Sequence, residues 1–404
     1  MKKEPKTKAI QNVILLGLIS CFADISSEMV YPLIPLYLTA ALGATPVLVG
    51  VIEGIAESLA SLLKVYSGYI SDKYNRKKPL AFLGYSTGVL YKIALLFSTT
   101  WVGILGARVI DRFGKGIRTA PRDVMVAESA DESQRGKAFG IHKALDMAGS
   151  AIGILLAFLL LRNIGEGAYK IAFATSLIPV LLALLLFAFV KENRQPRQIT
   201  AREPFWRNLK TLDGNLKLYL AIAFVFTLGN SSNTFLLLRA ANVGFSDTAV
   251  IFLYFIYNVV ASLFAIPFGK RSDRVGRKSV LIGGYFTFSL VYLCFAFATQ
   301  KWMLIAAFAV YGLYTAMVAG VERAFIAEIS PSHLKGTMLG LHSTLVGVAL
   351  LPASLIAGLL WNRFGAFAPF LFGAVLSALA ALMLLLFMKR PGQAEDAGEN
   401  REKR

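Results

Sequence analysis

Long apolar segments alternate with short polar segments along the whole chain. Each of twelve apolar segments reaches the ~20 residues that an α-helix needs to cross the hydrocarbon core of a bilayer. Helix is the expected structure, because lipid offers a spanning backbone no hydrogen-bond partners outside the segment itself. The predicted spans are 11–41, 46–71, 79–99, 101–126, 136–162, 168–190, 214–240, 247–269, 279–298, 302–327, 337–362 and 367–388. The pattern therefore predicts an all-α membrane protein with twelve transmembrane helices.

Polar segments divide these spans into two sets of six. The longest polar segment between spans contains two prolines and charges of both signs, and the end of the chain is rich in Glu, Lys and Arg. We expect an N-terminal six-helix half at 1–191, a cytoplasmic linker at 192–213, a C-terminal six-helix half at 214–390 and a polar cytoplasmic tail at 391–404.

Composition and charge support a membrane protein and set its orientation. Only 16% of the residues are charged, whereas a soluble domain carries about 25%. The net charge of +18 comes from lysines and arginines that cluster before span 1 and between spans 2 and 3, 4 and 5, 6 and 7, and 8 and 9. This alternation is typical of cytoplasmic loops, although the loop between spans 10 and 11 has only Lys335. We therefore expect both termini in the cytoplasm, a position in the cell (inner) membrane in contact with its lipids, and no nucleic-acid partner.

Enzyme motifs are missing from the sequence. Gly114-Lys115-Gly116 lacks the spacing and the following Ser or Thr of a phosphate-binding loop. Neither a serine nucleophile elbow nor a zinc-protease helix occurs. Cys21 and Cys294 both lie in apolar segments and form no zinc or disulfide framework. We expect no enzymatic activity and no cofactor.

One acidic-basic loop occurs twice, at 68–77 and 269–278. The positions 128 and 328, both Glu, and 142 and 342, both His, extend the repeat at an offset of 200 residues. The loop residues that the two copies share in character are Gly68, Asp72, Arg76, Lys77, Gly269, Asp273, Arg277 and Lys278. Two six-span halves that both start in the cytoplasm predict parallel repeats, related by an axis along the membrane normal.

With two such loops and twelve spans, the chain resembles the major facilitator superfamily over nearly its whole length, and its drug/proton antiporter-like branch in particular. The second loop fits the signature G-x-x-x-D-[RK]-x-G-[RK]-[RK] fully, and the first has Asn75 in place of the second glycine. The resemblance implies a monomeric secondary transporter that works by alternating access, with helices 1, 4, 7 and 10 around a central cavity. It also implies that the loops are latches that favour one closed state; a tight turn in a positively charged loop is the alternative.

Two further motifs of the family are altered here. The arginine motif of span 4, R-x-x-Q-G, reads Arg108-Val-Ile-Asp111-Arg112, which adds a charged cluster. The glycine-rich motif of span 5 keeps Gly149 and Gly153 but lacks the usual proline. This small-residue spacing also serves ordinary helix packing.

Ionisable residues inside spans are costly and tend to face the protein interior. Asp24 with Glu28, Glu53 with Glu57, and His142 with Asp146 are each spaced by four residues and so share a helix face. The candidates for proton coupling are Asp24, Glu28, Glu57 and Asp146. The expected network of partner charges comprises Arg108, Asp111, Arg112, His142, Lys143, Glu322 and Arg323. Static ion pairs are the alternative role for all of them, and Lys92, on an outer-layer span, would extend its amine towards the membrane surface.

The two halves differ where the coupling acids lie. Aligned on the repeated loops, Glu28, Glu53 and Glu57 fall opposite an amide, a phenol and an amide of the second half. We expect the acids of the N-terminal half to couple to protons and both halves to bind a small-molecule substrate. The candidates for the substrate cavity are Tyr31, Glu53, Asn230, Asn233, Tyr254, Asn258 and His342.

The sequence predicts proton-coupled efflux of a small organic compound and leaves two alternatives open. His142 with Asp146, or Asp24 with Glu28, offers imidazole and carboxylate ligands that suit a divalent metal cation. The chain would then be a metal exporter, although it has only three histidines. The minor alternative is a membrane sensor or scaffold that keeps the fold and transports nothing.

Overall fold

The computed structural model describes residues 6–74, 77–129, 135–165, 168–191, 214–330 and 335–388. Throughout these ranges the chain is helical or forms short turns, without a β-strand. In chain order the α-helices are α1 Lys6–Glu28, α2 Leu33–Leu36, α3 Pro46–Tyr74, α4 Lys77–Phe97, α5 Trp101–Glu128, α6 Arg135–Ile164, α7 Tyr169–Thr175, α8 Leu177–Phe187, α9 Gly214–Gly229, α10 Thr234–Asn242, α11 Asp247–Val275, α12 Arg277–Phe297, α13 Lys301–Val318, α14 Val321–Ile329, α15 Lys335–Phe364 and α16 Ala368–Phe387. A π-helical turn at Tyr37–Ala41 follows α2. Each predicted span thus coincides with one helix or with a pair of consecutive helices.

Eleven helical segments of the described ranges are long and apolar enough to cross a membrane. The predicted fourth span is the exception, because α5 carries eight charged residues. It is 28 residues long and buries Arg108, Asp111, Arg112 and Arg118. The neighbouring helices α3 and α4, rather than lipid, surround these charges. A span whose charges face other helices fails a hydropathy test and still fits inside a membrane protein.

Large apolar side chains are exposed on the outer helices. On α8, Ile178, Leu181 and Leu185 are 52–63% exposed, and the helix contains no charged residue. Isolated exposed apolar residues are common in soluble proteins, but a whole helix face of them indicates contact with lipid. This agrees with the resemblance, which does not include the sixth span among the helices around the central cavity.

Four spans are interrupted in mid-course within the described residues. The first breaks between α1 and α2 before Pro32, the sixth at Ser176 between α7 and α8, the seventh at 230–233 between α9 and α10, and the tenth at Ala319 and Gly320 between α13 and α14. A break releases backbone groups from the helical ladder, which is tolerated at membrane depth only where protein or a cavity receives them. Spans 1, 7 and 10 are three of the four that the resemblance assigns to the cavity.

The chain divides into two compact units. Unit 1 comprises Met1–Thr200 together with Asn233–Phe255, and unit 2 comprises Ala201–Ser232 together with Ile256–Arg404. The predicted linker 192–213 and tail 391–404 lie outside the described residues. The predicted limits of the two halves therefore stay a prediction.

Glycines set the closest helix contacts of unit 1. A Cβ atom at Gly153 of α6 would stand 2.6 Å from the backbone oxygen of Ile25 in α1. One turn earlier, a Cβ at Gly149 would collide with the backbone of Cys21. The small-residue spacing of the fifth span thus serves helix packing, and it brings α6 against the face of α1 that carries Asp24.

Candidate functional site

A bidentate ion pair links α3 to α5 in the interior of unit 1. Arg108 donates from Nε to Oε1 of Glu53 over 2.9 Å and from Nη2 to Oε2 over 2.7 Å. Both side chains are 1% exposed. Bidentate geometry offsets much of the desolvation that burying two charges costs, and removal of one partner would leave the other uncompensated.

A second ion pair lies one turn along both helices. Arg112 Nη2 lies 2.7 Å from Glu57 Oε1, and Asp111 Oδ2 lies 3.4 Å from Arg108 Nη1 and 3.7 Å from Arg112 Nε. The ring of Tyr31 lies beside both guanidinium groups, at 5.4 and 5.8 Å. We call Glu53, Glu57, Arg108, Asp111 and Arg112 the arginine cluster. The altered arginine motif therefore builds a compact group in which two guanidinium groups pair with three carboxylates.

Lys92 of α4 is buried, in contrast to the expectation that its amine reaches the membrane surface. The side chain is 1% exposed, and its Nζ has no hydrogen-bond partner among the described residues. The nearest stabilising contact is the ring of Tyr91, 4.1 Å from the ammonium. The helix rotation that turns Lys92 inward is not visible in composition, and for this reason the sequence prediction was wrong.

Two carboxyl groups meet where α1 packs on α6. Asp24 and Asp146 lie within hydrogen-bonding reach of each other. Asp146 also accepts a hydrogen bond from Lys143 Nζ over 3.0 Å and lies 4.0 Å from Arg122 Nη1. Two carboxylates at this separation repel each other unless they share a proton. We call Asp24 and Asp146 the carboxyl pair.

Arg122 of α5 stands next to the carboxyl pair and is itself neutralised. It donates to Asp123 Oδ1 from Nε and Nη2, at 3.1 and 2.9 Å, and to Ser20 Oγ over 3.2 Å. Ser20 in turn lies 3.0 Å from both His142 Nε2 and Tyr85 Oη. Ser20 is thus the polar hub that sequence reasoning missed, since a lone serine in an apolar helix gives no distinctive signal.

The predicted metal ligands do not assemble into a larger set. His142 bonds to Ser20 rather than to Asp146. Within the described residues no group of three or more His, Cys, Asp or Glu side chains is placed to hold a metal ion.

Glu28 occupies a different environment from the other acids. It is half-buried next to the break in span 1, and the hydroxyl of Tyr254 donates to its Oε2 over 3.5 Å within unit 1. No lysine or arginine among the described residues forms an ion pair with it. Tyr31 and Tyr254 pack with ring centroids 5.9 Å apart, which joins two of the predicted cavity residues. Asn233 and Asn258 are half-buried.

In unit 2 a half-buried acid, Glu322, contacts three polar side chains. Oε1 of Glu322 accepts from the hydroxyls of Tyr219 and Tyr285, at 3.4 and 3.3 Å, and lies 3.4 Å from Nε2 of His342. Arg323, expected in the same network, is exposed. Nearby, Asn230 Nδ2 donates to the hydroxyl of Tyr314 over 3.1 Å.

The two polar groups occupy equivalent positions of the internal repeat. Residues 85, 122 and 142 of unit 1 correspond, at an offset of 200, to residues 285, 322 and 342 of unit 2. Tyrosine and histidine are kept, whereas Arg122 is replaced by Glu322. The repeat offset in the sequence could have revealed this inversion of charge.

The repeated loops bind charges within their own units. Arg277 lies 3.0 Å from Glu328 Oε2 and 3.5 Å from Asp273 Oδ1, and Lys77 lies 2.6 Å from Glu128 Oε1. Since residues 128 and 328 are equivalent, Lys77 corresponds to Arg277. The first loop has one more residue between its helices than the second, so the predicted match of Lys77 with Lys278 is one residue out of register.

The next lysines bind the carbonyl ends of neighbouring helices. Lys78 Nζ donates to the carbonyl of Val190 over 2.6 Å, and Lys278 Nζ donates in the same way to Met388. Gly276, between α11 and α12, has φ +89°, where glycine is favoured. In the first copy, the side chain of Asp72 and the whole of Asn75 and Arg76 lie outside the described residues, and Gly68 lies within α3.

Two stretches of the chain, residues 16–239 and 218–404, match the model of the Major Facilitator Superfamily. An uncharacterized MFS-type transporter of Methanocaldococcus jannaschii is 39% identical over 93% of this chain and 94% of its own. A protein of Cupriavidus pinatubonensis, described as a probable 4-methylmuconolactone transporter, is 25% identical over 75% of this chain and 72% of its own. A solved structure of the nucleoside transporter NupG is 12% identical and superposes with a TM-score of 0.81 over 94% of this chain and 100% of that one. The predicted all-α fold with twelve transmembrane helices in two halves is confirmed.

Proposed function

Since this chain belongs to the Major Facilitator Superfamily, it is a multi-pass membrane transporter, and we propose that it exports a small organic compound in exchange for protons. The proposal includes alternating access by a monomer in the cell (inner) membrane, with both termini in the cytoplasm. Lysines and arginines in alternate loops support this orientation. A lactone, the compound named for one relative, is only one of the candidate substrates to try.

The carboxyl pair is the observation that supports proton coupling. Asp24 and Asp146 within hydrogen-bonding reach hold one proton between them, because two full negative charges at that distance repel each other by several kcal/mol at a protein-like dielectric. Lys143 and Arg122 stand beside Asp146. The negative charge therefore stays on Asp146 and the exchangeable proton on Asp24.

Loss of that proton would act directly on helix packing. Asp24 is on α1 and Asp146 is on α6, two helices held in backbone contact by Gly149 and Gly153. Deprotonation would place like charges across this contact and favour a conformation in which water or a substrate separates them. Proton release and the change of access are thereby linked through one helix pair.

The remaining candidates have supporting roles. Glu57 is 30% exposed and pairs with Arg112, so it is a second site where protonation would break an ion pair. Glu53, Arg108, Asp111 and Arg112 hold α3 and α5 together, and Glu28 lies beside the break in span 1 next to Tyr254. The repeated loops, with their ion pairs to Glu128 and Glu328, fit latches that stabilise one state.

A flux measurement tests the proposal even while the substrate is unidentified. The purified chain is reconstituted into liposomes that contain a pH-sensitive dye. A panel of organic cations, anions and neutral compounds, with 4-methylmuconolactone among them, is then added. We expect at least one compound to drive proton movement that protein-free liposomes lack. A sensor or scaffold would move neither compound nor proton, and a metal exporter would respond only to divalent cations.

A further inference from the structure

A cavity of about 160 Å³ lies within unit 2, between α9, α13, α14 and α15. Its wall includes the aromatic rings of Phe226 and Tyr314, the amide of Asn230 and the carboxylate of Glu322. Two threonines, Thr227 and Thr315, and four apolar residues complete it. The volume suits the head group of a small molecule rather than a whole drug-sized compound, for which ~300 Å³ or more is usual.

Within the part of the chain that the structure describes, the carboxylate in this wall has no permanent counter-charge. The polar contacts of Glu322 there are with two phenol hydroxyls and one imidazole, each at 3.3–3.4 Å. No lysine or arginine of the described ranges forms an ion pair with it, and the imidazole is a cation only while it carries two protons. His342 Nε2 is buried without a properly formed hydrogen bond to another described residue. The group is thus a loosely held negative charge at the edge of a cavity.

Aromatic rings surround the same space. Phe226 stacks on Tyr285 at 4.0 Å between centroids and lies 6.1 Å from Tyr314. The faces of such rings carry negative potential and attract cations, above all quaternary ammonium groups that cannot be hydrated strongly. Carboxylate and rings therefore favour the same kind of occupant.

The equivalent position in unit 1 carries the opposite charge, and that charge is neutralised. Arg122, 200 residues before Glu322, is neutralised by Asp123 and lies near Asp146. Glu322 is likewise followed by a residue of opposite charge, Arg323, but Arg323 is exposed and forms no ion pair with Glu322 within the described ranges. An intramembrane charge of this kind needs a functional partner.

We infer that the unit 2 cavity is a subsite for the cationic head group of the transported compound, with Glu322 as its counter-charge and Phe226 and Tyr314 as its aromatic walls. The inference rests on the proposed function, because it names the class of substrate: an organic cation with an alkylated ammonium group. Asn230 and the hydroxyl of Tyr314 would bind a polar atom next to that group.

Binding of two isosteric probes tests the inference. Choline and 3,3-dimethylbutan-1-ol have the same shape, and only choline carries a charge. Isothermal titration calorimetry on the purified full chain measures both, with no membrane and no pH gradient. We expect the chain to bind choline at least about tenfold more tightly than the neutral isostere. Glu322→Gln should remove this preference, Glu322→Asp should retain part of it, and Phe226→Leu should weaken it.

Equal affinity for both probes in the unsubstituted chain overturns the inference, as does a preference that survives Glu322→Gln. Equal affinity is the result expected if the carboxyl group of Glu322 is protonated and therefore neutral. If Glu322→Gln does not fold, the unsubstituted chain and Glu322→Asp decide. Compound-driven proton flux without a choline preference would contradict the subsite and leave the proposed function intact. A choline preference without compound-driven proton flux would support the subsite and contradict the proposed function.

Discussion

The two most deeply buried basic side chains of unit 1, Arg108 and Lys92, have different surroundings. Arg108 meets Glu53 through two hydrogen bonds. The ammonium of Lys92 has no hydrogen-bond partner in the described residues and touches only an aromatic face. A buried charge without a hydrogen-bonded partner costs free energy, whereas loss of one member of a buried pair leaves the other uncompensated.

Lys92→Met should therefore leave the thermal unfolding midpoint unchanged or raise it. Methionine fills a similar volume without the desolvation cost. The matched substitution Arg108→Met should lower the free energy of unfolding by about 3–5 kcal/mol, because Glu53 then stays buried without the guanidinium group that balances its charge. Thermal unfolding of the two variants in the same detergent compares them. Equal destabilisation by both would show that the ammonium of Lys92 has a stabilising role that its contacts do not reveal.

For single residues, the sequence predicts which of them share a helix face but not which residues of other helices they contact. Spacing by four correctly places Asp24 with Glu28, and Glu53 with Glu57, on common faces. Which residue lies across the helix contact depends on helix rotation, which the 3.6-residue period leaves free. The pairing of Asp24 with Asp146, and the group around Glu322, therefore needed the structure.

At the scale of elements, small residues decide how closely helices approach. Gly149 of α6 meets the backbone of Cys21 in α1. At Gly140 of the same helix, an added Cβ atom would have no neighbour within 4 Å. The same substitution at these two positions separates a packing effect from helix propensity.

Gly149→Ala should reduce the free energy of unfolding by about 1–3 kcal/mol through overpacking. It should also weaken proton coupling, because α6 would move away from Asp24. Gly140→Ala should be neutral or stabilising by up to about 1 kcal/mol, as alanine favours helix. Unfolding midpoints and compound-driven proton flux of both variants provide the comparison. An unchanged Gly149→Ala variant would contradict the close α1–α6 contact.

Helix limits were predicted well, because apolar length is a strong signal. Even α5 was recognised as a span despite its eight charged residues. The apolar residues between these charges extend over a segment long enough to cross the membrane. The breaks inside spans 1, 6, 7 and 10 were not predicted. Pro32 and Gly320 lie at two of them, but such residues also occur within continuous helices, as Pro121 does in α5.

For the whole molecule, duplication explains both what the halves share and where they differ. Tyrosine and histidine persist at equivalent positions, and the loop cations bind equivalent glutamates, at 128 and 328. The central charge changes from arginine to glutamate. Identical halves would offer the same chemistry twice, whereas we propose that this inversion lets one unit hold the proton and the other attract a cationic substrate.

The central claim is that the carboxyl pair carries the coupling proton. Its most direct test compares two modes of transport in liposomes containing the chain or its Asp24→Asn variant. One mode is accumulation of a labelled compound from the panel against its gradient, driven by an imposed pH difference. The other is exchange of labelled for unlabelled compound at equal pH, which requires no net proton movement. We expect Asp24→Asn to abolish accumulation and retain exchange. Accumulation that persists in the variant at the rate of the unsubstituted chain would contradict the claim.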